Sequence, residues 1–318
     1  MSKRALRLIG SRLIQVIPVL VLATFAIFSL LQLVPGDPAA VIAGETATAE
    51  RIAQIRHMLG LDLPLWQQYL HWLGGAVRGD LSTSLITGLP VLDEVMRRLP
   101  NTLLIVICAL LLSIAIGVPL GILAATNVDG RIDRIVTSIA SLGVAVPNFW
   151  MGMILVGLFA LKLGWFPTTG AVSIFQDPLT ALWHAALPAC ALAMSGIAEI
   201  TRQLRSSLID VLSSQYVRTL HAKGLSQSKI LWHHGLKNVS LTLLTVIGLV
   251  FNRTLGATVA IEAVFAIPGT GSLVVASATN KDFPVVQGVV FVLVLIVIFC
   301  NLLIDLLYSA LDPRVNKR

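Results

Sequence analysis

The residues best suited to chemistry lie in a basic segment, Ser214–Asn238, which separates two strongly apolar stretches. Its cations are Arg218, Lys223, Lys229 and Lys237. Glycine commonly ends a helix in a left-handed turn, so Gly224 predicts two short helices, at about Gln215–Lys223 and Ser226–Lys237. Such a segment indicates a helix that docks on a cytoplasmic protein. An ordinary charged loop that follows the positive-inside rule explains the same charges.

The motifs of a catalytic, nucleotide or metal site are missing from the sequence. It contains no GxxxxGK[ST] motif, so the chain cannot hold nucleotide phosphates by itself. The cysteines are scattered through apolar runs, and no two histidines have the i,i+4 spacing of a zinc pair. We predict no catalytic residue, no cofactor and no metal. An intramembrane enzyme is disfavoured, since neither HExxH nor GxSxG lies within an apolar span.

The composition is that of an integral membrane protein. The chain of 318 residues is 56% hydrophobic and 12% charged, with a mean hydropathy of +0.86, whereas soluble domains carry about 25% charged residues. Most Lys and Arg fall on one side of the apolar spans, so both termini are predicted to be cytoplasmic. The net charge of +7 thus reflects topology, and we predict no nucleic-acid partner. The six predicted spans are 13–34, 102–125, 135–161, 183–200, 239–261 and 285–308.

The spans divide the chain into three predicted regions. Residues 1–34 form an N-terminal transmembrane helix, residues 35–99 an external segment, and residues 100–310 a membrane core that contains the basic segment. Apolar residues recur at helical spacing around Ile55 and Trp66 in the external segment. These apolar stripes are too narrow to cross a membrane, so we expect them to pack on the membrane core or at the membrane interface.

Arg253 is a charged residue within the fifth predicted span. A charge at the bilayer centre costs about 2.5–3.5 kcal/mol on insertion scales, so it should face a wet cavity or a carboxylate. It either lines a translocation path and meets a substrate carboxylate, or pairs with an acidic residue of this or a neighbouring subunit. At the inner end of the fourth span, we expect Glu199 to pair with Arg202 at i,i+3.

From end to end, the chain resembles the permease subunits of the dipeptide, oligopeptide and nickel ABC importers. These are type I importers, with a membrane domain similar to that of methionine and maltose permeases. Many separate motifs carry the resemblance in the family's order and spacing. They are Val34–Pro38, Leu59–Asp62, Gly79–Leu81, Arg98–Thr102, Tyr216–Thr219, Ala222–Leu225, Phe283–Gly288, Asp305–Tyr308 and Leu311–Arg314.

The resemblance implies an all-α polytopic protein of the bacterial inner membrane, with six transmembrane helices and the type I importer permease fold. It implies half of a translocation path for small peptides or a related solute. The implied partners are a second homologous permease subunit in a heterodimer, two cytoplasmic ATPase subunits, an extracytoplasmic substrate-binding protein and membrane lipid.

Within the chain, the resemblance assigns coupling helices to residues 214–238. The implied ATPase-coupling residues are Tyr216, Arg218, Thr219, Ala222, Lys223 and Gly224. The alternative function is a stand-alone secondary carrier or channel. It is disfavoured because the sequence shows neither an inverted repeat nor a filter motif.

Overall fold

The computed structural model describes residues 17–30, 37–44, 47–58 and 60–311, and these ranges contain helices and loops but no β-strand. The chain divides into two compact units. One consists of Met1–Pro100 with Pro268–Leu302, and the other of Asn101–Ile267 with Leu303–Arg318. We refer to them as the first unit and the second unit.

The helices are numbered in chain order. They are α1 (Ile17–Leu30), α2 (Pro38–Ala43), α3 (Ala49–Met58), α4 (Leu65–Val77), α5 (Val91–Thr126), α6 (Arg131–Ala145), α7 (Asn148–Leu155), α8 (Pro178–Leu212), α9 (Gln215–Ala222), α10 (Gln227–Lys229), α11 (Leu236–Val264), α12 (Thr270–Thr279) and α13 (Phe283–Leu311). Two π-helical stretches, Val156–Lys162 and Ile230–Gly235, follow α7 and α10.

In the first unit, aromatic side chains attach α4 to its neighbours. Tyr69 is buried, and its hydroxyl lies 2.9 Å from the hydroxyl of Thr24 on α1. Its ring meets the ring of Phe28 edge-on. One turn further along α4, Trp72 meets Phe291 of α13 edge-on, with the ring centroids 5.8 Å apart. Helices α1 and α13 are thus fixed to α4 through one continuous group of rings.

A buried carboxylate holds the loop that follows α4 in the first unit. Asp282 is 3% exposed. One of its oxygens accepts a hydrogen bond from the hydroxyl of Ser84, and the other accepts one from the backbone N–H of Leu85 at 3.0 Å. A buried carboxylate must be satisfied by such donors, so this loop has one defined position next to the start of α13.

In the second unit, α8 is the central helix. It packs against α6, α7 and α11, and it carries several almost fully buried side chains: Leu192, Ile200, Leu204 and Leu208. Pro188 lies within its first half without ending it. Neighbouring helices can satisfy the backbone carbonyl that such a proline leaves free.

The long apolar helices agree with most of the predicted spans. Among the described residues, the helices long and apolar enough to cross a membrane are Val91–Thr126, Pro178–Leu212, Gln227–Val264 and Phe283–Tyr308. They contain the predicted second, fourth, fifth and sixth spans. Part of the predicted first span lies outside the described residues, and the total of six spans with two cytoplasmic termini stays a prediction.

The predicted third span, residues 135–161, is interrupted by a break between two helices. The chain bends by 98° between Arg131–Ala145 and Asn148–Lys162. The bend falls at Pro147, where the preceding Val146 is extended, with φ −88° and ψ 123°. The proline ring disfavours the helical region for the residue before it, so α6 ends there.

Small residues bring the membrane helices close together. An added Cβ at Gly196 of α8 would lie 2.4 Å from the hydroxyl oxygen of Ser113 on α5 and 2.9 Å from a methyl carbon of Val250 on α11. Gly121 of α5 would place a Cβ only 3.1 Å from the carbonyl oxygen of Thr201 on α8. Close approach through small residues is the usual way in which helices associate in lipid.

We expect Gly196→Leu to destabilise the second unit, because the new side chain must push α5 and α11 away from α8. Overpacking of this kind costs about 1–3 kcal/mol. The change is measured as the thermal unfolding midpoint of the purified chain in detergent. The matched control is Gly256→Leu on α11, where an added Cβ meets nothing within 4 Å. Equal midpoints for the two variants would contradict the packing described here.

Candidate functional site

Helix α9 has one apolar face and one polar face. Val217 and Leu220 are 2% and 8% exposed, and both pack against the fully buried Ile230. The predicted coupling residues all lie on the exposed part of α9 and its C-terminal turn: Tyr216, Arg218, Thr219, Ala222, Lys223 and Gly224. The structure therefore brings them together on one accessible surface, while their role in coupling stays a prediction.

The end of α9 is a tight turn that requires glycine. Gly224 has φ +79°, a left-handed conformation, with nothing within 4 Å of an added Cβ. The backbone N–H of Leu225 donates to the carbonyl of Leu220 at 3.2 Å and closes the turn. Ser226 then caps the next helix by accepting a hydrogen bond from the N–H of Lys229. The predicted helix break at Gly224 is confirmed.

The second predicted helix of the basic segment, Ser226–Lys237, is helical in the structure from Gln227. It is not a separate short helix, because no break follows it. Residues Gln227–Val264 form one helix of 38 residues, in which the π-helical stretch Ile230–Gly235 joins α10 to α11. Gly235 lets this helix approach α8, since its Cβ would lie 3.1 Å from a methyl carbon of Leu208. The second half of the basic segment, from Gln227, is thus the N-terminal extension of the fifth predicted span.

Polar contacts tie α9 to that extension. The hydroxyl of Tyr216 lies 2.8 Å from Nδ1 of His234, and Nε2 of His221 lies 2.8 Å from the amide oxygen of Gln227. Sequence reasoning missed both pairs, because it tested the histidines only for metal spacing. Their presence on both sides of the Gly224 turn was the available signal.

A bidentate ion pair joins the N-terminal end of α6 to the C-terminal part of α8. Arg205 donates from Nε and Nη2 to the two carboxylate oxygens of Asp133, at 2.5 and 2.6 Å. The Asp133 side chain is 4% exposed and also accepts a hydrogen bond from the backbone N–H of Asp129. This pair was not predicted, and it fixes the loop before α6 to α8 at Arg205, about three helical turns before α9 begins at Gln215.

Glu199 pairs with Arg253 across α8 and α11, with 2.6 Å between Oε2 and Nη1. The predicted Glu199–Arg202 pair is therefore wrong, because tertiary packing supplied a partner from another helix. The two predicted alternatives for Arg253 included pairing with an acid of this chain, and that pairing is present. The Arg253 side chain is nevertheless 62% exposed, against 19% for Glu199, so much of the guanidinium is accessible to a further partner.

Known protein families and sequences match this chain over nearly its whole length. Residues 117–317 match the family model described as "Binding-protein-dependent transport system inner membrane component", and residues 5–106 match its N-terminal companion model. A probable peptide ABC transporter permease protein of Sinorhizobium fredii is 42% identical over 305 residues, which cover 96% of this chain and 97% of that protein. The oligopeptide transport system permease protein AppB of Bacillus subtilis is 37% identical over 308 residues, covering 96% and 98%.

A solved structure shares the fold. Inward-facing MetNI, a methionine ABC transporter, aligns with a TM-score of 0.57 at 17% sequence identity, covering 69% of this chain and 96% of that chain. At this identity the likeness concerns the fold alone. It confirms the predicted resemblance to the membrane domain of type I importers.

We expect Arg205→Ala to destabilise the contact between α6 and α8 in the second unit, because it leaves the buried Asp133 carboxylate without its cation. Hydrogen bonds to charged groups contribute about 1.5–3 kcal/mol each, so the loss should be resolvable as a lower unfolding midpoint of the purified chain. Faster proteolysis of the loop before α6 should accompany it. Arg202→Ala, at an exposed position of the same helix, is the control. If Arg202→Ala destabilises the chain as much as Arg205→Ala, the Asp133–Arg205 pair contributes nothing.

Proposed function

The chain belongs to the family of binding-protein-dependent transport system inner membrane components, and from that premise we propose that it forms half of the translocation path of an ATP-driven importer of small peptides. It is a multi-pass protein of the bacterial inner membrane and a permease subunit of the ABC importer class. Its relatives transport peptides or oligopeptides according to their names. That supports small peptides, or a related small solute, as the cargo of this chain.

Energy for transport must come from other subunits in this proposal. The sequence has no phosphate-binding loop, so two cytoplasmic ATPase subunits would bind and hydrolyse ATP. A second, homologous permease subunit would complete the path as a heterodimer, and an extracytoplasmic binding protein would deliver the cargo. Residues 1–34, 35–99 and 100–310 would serve as the first transmembrane helix, the external segment and the permease core.

One observation carries the coupling proposal: α9 presents its polar residues outward while its apolar face holds it on the extension of α11. We assign ATPase contact to Tyr216, Arg218, Thr219, Ala222, Lys223 and Gly224. Closure of the ATPase dimer would displace α9, and the continuous helix Gln227–Val264 would carry that displacement into the membrane. ATP would thereby bias two arrangements of the membrane helices.

Arg253 would line the path. Because charge within a membrane span is costly unless it meets water or a partner, the accessible side of its guanidinium should face a wet path or the second permease subunit. Glu199 would hold the guanidinium in place through the 2.6 Å contact.

Gly224→Val should abolish both transport and ATPase co-purification, because a β-branched residue does not tolerate φ +79° and the turn after α9 must change. A left-handed conformation costs about 1–2 kcal/mol for a residue with a Cβ. The measurement is ATPase retained on the affinity-purified permease, with uptake in cells that carry the whole importer.

The matched control is Gly164→Val, because Gly164 has φ +65° and, like Gly224, nothing within 4 Å of an added Cβ. Both variants impose similar backbone strain, but only one alters the end of α9. We expect Gly164→Val to retain the ATPase. Normal retention by Gly224→Val, or equal loss in both, would refute the proposed role of α9.

Arg253→Gln should reduce uptake about tenfold, the effect of losing one charge-assisted contact of about 1.4 kcal/mol, while ATPase co-purification stays normal. Exchanging the two charges, as Glu199→Arg with Arg253→Glu, keeps an ion pair between α8 and α11 but moves the cation to the other helix. We expect the exchanged chain to have the unfolding midpoint of the unmodified chain, whereas its uptake should stay low. Recovery of full uptake would show that Arg253 only supports the packing of the helices.

A further inference from the structure

The first unit contains a cavity of about 470 Å³ that the proposed transport function does not use. It is bordered by α4, by the turn between α3 and α4, by the loop after α4 and by the start of α13. Pockets for small molecules commonly measure about 300–1,000 Å³ and combine apolar walls with a few polar groups. On the predicted topology, this cavity belongs to the extracytoplasmic part of the chain.

Aromatic side chains supply much of the apolar wall. Phe28, Trp72 and Phe283 line the cavity together with Met58. The rings of Phe28 and Trp72 have centroids 6.5 Å apart and belong to the aromatic group around α4, so their positions are fixed by packing. A wall of this kind suits an aromatic or large aliphatic side chain, since each such ring offers a large apolar surface.

Two residues that line the cavity form fewer hydrogen bonds with the described residues than their polar groups allow. The indole N–H of Trp72 is buried and meets no acceptor there. Buried donors of this kind are rare, since leaving one unpaired is unfavourable. Asp80 uses Oδ1 to accept the backbone N–H of Ser82 at 2.8 Å, and its other oxygen is not engaged by the described part of the chain. The Trp72 nitrogen has almost no accessible surface, so the polar group that the cavity offers to a ligand is the anionic acceptor of Asp80.

Local structure sets both groups in place. The N–H of Asp80 donates to the carbonyl of Gly75 at 3.0 Å, one turn beyond Trp72 on α4. Gly75 permits this approach, because an added Cβ would lie 3.0 Å from the Asp80 carbonyl oxygen. The amide of Gln68 donates to the carbonyls of Leu61 and Leu63, at 3.3 and 2.8 Å, and fixes the turn on the other side.

The charges of the lining indicate the class of ligand. Among the described residues that line the cavity, Asp80 is the one carboxylate, and no Lys or Arg is present; His57 and His71 are the other titratable groups. A lining of this kind favours a ligand that carries an ammonium group over one that carries a carboxylate. We infer that the cavity binds the N-terminal end of a short peptide. The ammonium would pair with Asp80, and the first side chain would lie against the rings of Phe28, Trp72 and Phe283.

The choice of a peptide rests on the proposed function, but its test does not need transport. The full chain, in nanodiscs of phosphatidylcholine, is titrated with phenylalanyl-alanine and with its N-acetylated form, and binding is measured by calorimetry. The acetylated peptide lacks the ammonium, so we expect it to bind at least about tenfold more weakly. Equal binding of the two peptides, or binding of neither, would overturn the inference without any substitution in the chain.

Variants then locate the site. We expect Asp80→Asn to weaken binding of phenylalanyl-alanine about tenfold, and Trp72→Phe, which leaves a smaller apolar wall, to weaken it by a smaller factor. The controls are Asp62→Asn and Trp66→Phe, two exposed positions of the same segment that do not line the cavity. Loss of affinity in the controls, or its retention in the two cavity variants, would place the peptide elsewhere.

The two proposals fail in different ways. No ATPase and no binding protein are present in the nanodisc experiment, so absence of peptide binding there leaves the role of α9 untouched. In the same way, normal ATPase retention by Gly224→Val would refute the coupling proposal and leave the cavity as a peptide site.

Discussion

The burial of a small apolar cluster beneath α9 is the constraint on which the arrangement of the basic segment, Ser214–Asn238, depends. Helix α9 has 8 residues, and isolated helices shorter than about 12–15 residues are marginal in water. Its stability must come from tertiary packing of Val217 and Leu220 against Ile230. The same packing fixes its rotation, so that Arg218 and Lys223 face outward instead of toward the chain.

The cluster also decides how α9 can move. Ile230 belongs to the continuous helix Gln227–Val264, and Gly235 of that helix lies against Leu208 of α8. A displacement of α9 must therefore move the C-terminal end of α8 and the N-terminal extension of α11 together. Gly224 acts as the end of a helix, closed by the hydrogen bond between Leu225 and Leu220, and the turn is too tightly bonded to behave as a free hinge.

Much of this organisation could be predicted from sequence, because its causes are local. The apolar lengths predicted the spans now found in α5, α8, α11 and α13. Gly224 predicted the end of α9, since a left-handed turn depends on that residue alone. The residues around Arg218 were instead implied by the family resemblance, and the structure places them on the exposed side of α9.

The features that sequence missed depend on which helices pack together. The polarity of Ser226–Lys237 suggested a separate helix, whereas its burial against α8 and a π-helical stretch keep it continuous with α11. The sequence also predicted that Glu199 pairs with Arg202, because a single sequence shows only the spacing of residues along one helix. Arg253 lies far away in the chain, and its contact exists only because α11 packs on α8.

The two ion pairs of α8 have different physical meanings. Glu199 and Arg205 are six residues apart in the sequence, which is about 240° around a helix, so they reach α11 and α6 on different sides. The Asp133–Arg205 pair has a carboxylate that is 4% exposed, and it must be satisfied in every state of the protein.

The Glu199–Arg253 pair has a cation that is 62% exposed, and an exposed pair in water contributes little. The interaction would be stronger if the guanidinium were covered and water excluded, because the local dielectric constant would fall. The first pair therefore belongs to the fixed frame of the second unit, whereas the second is suited to respond to what lies beside it.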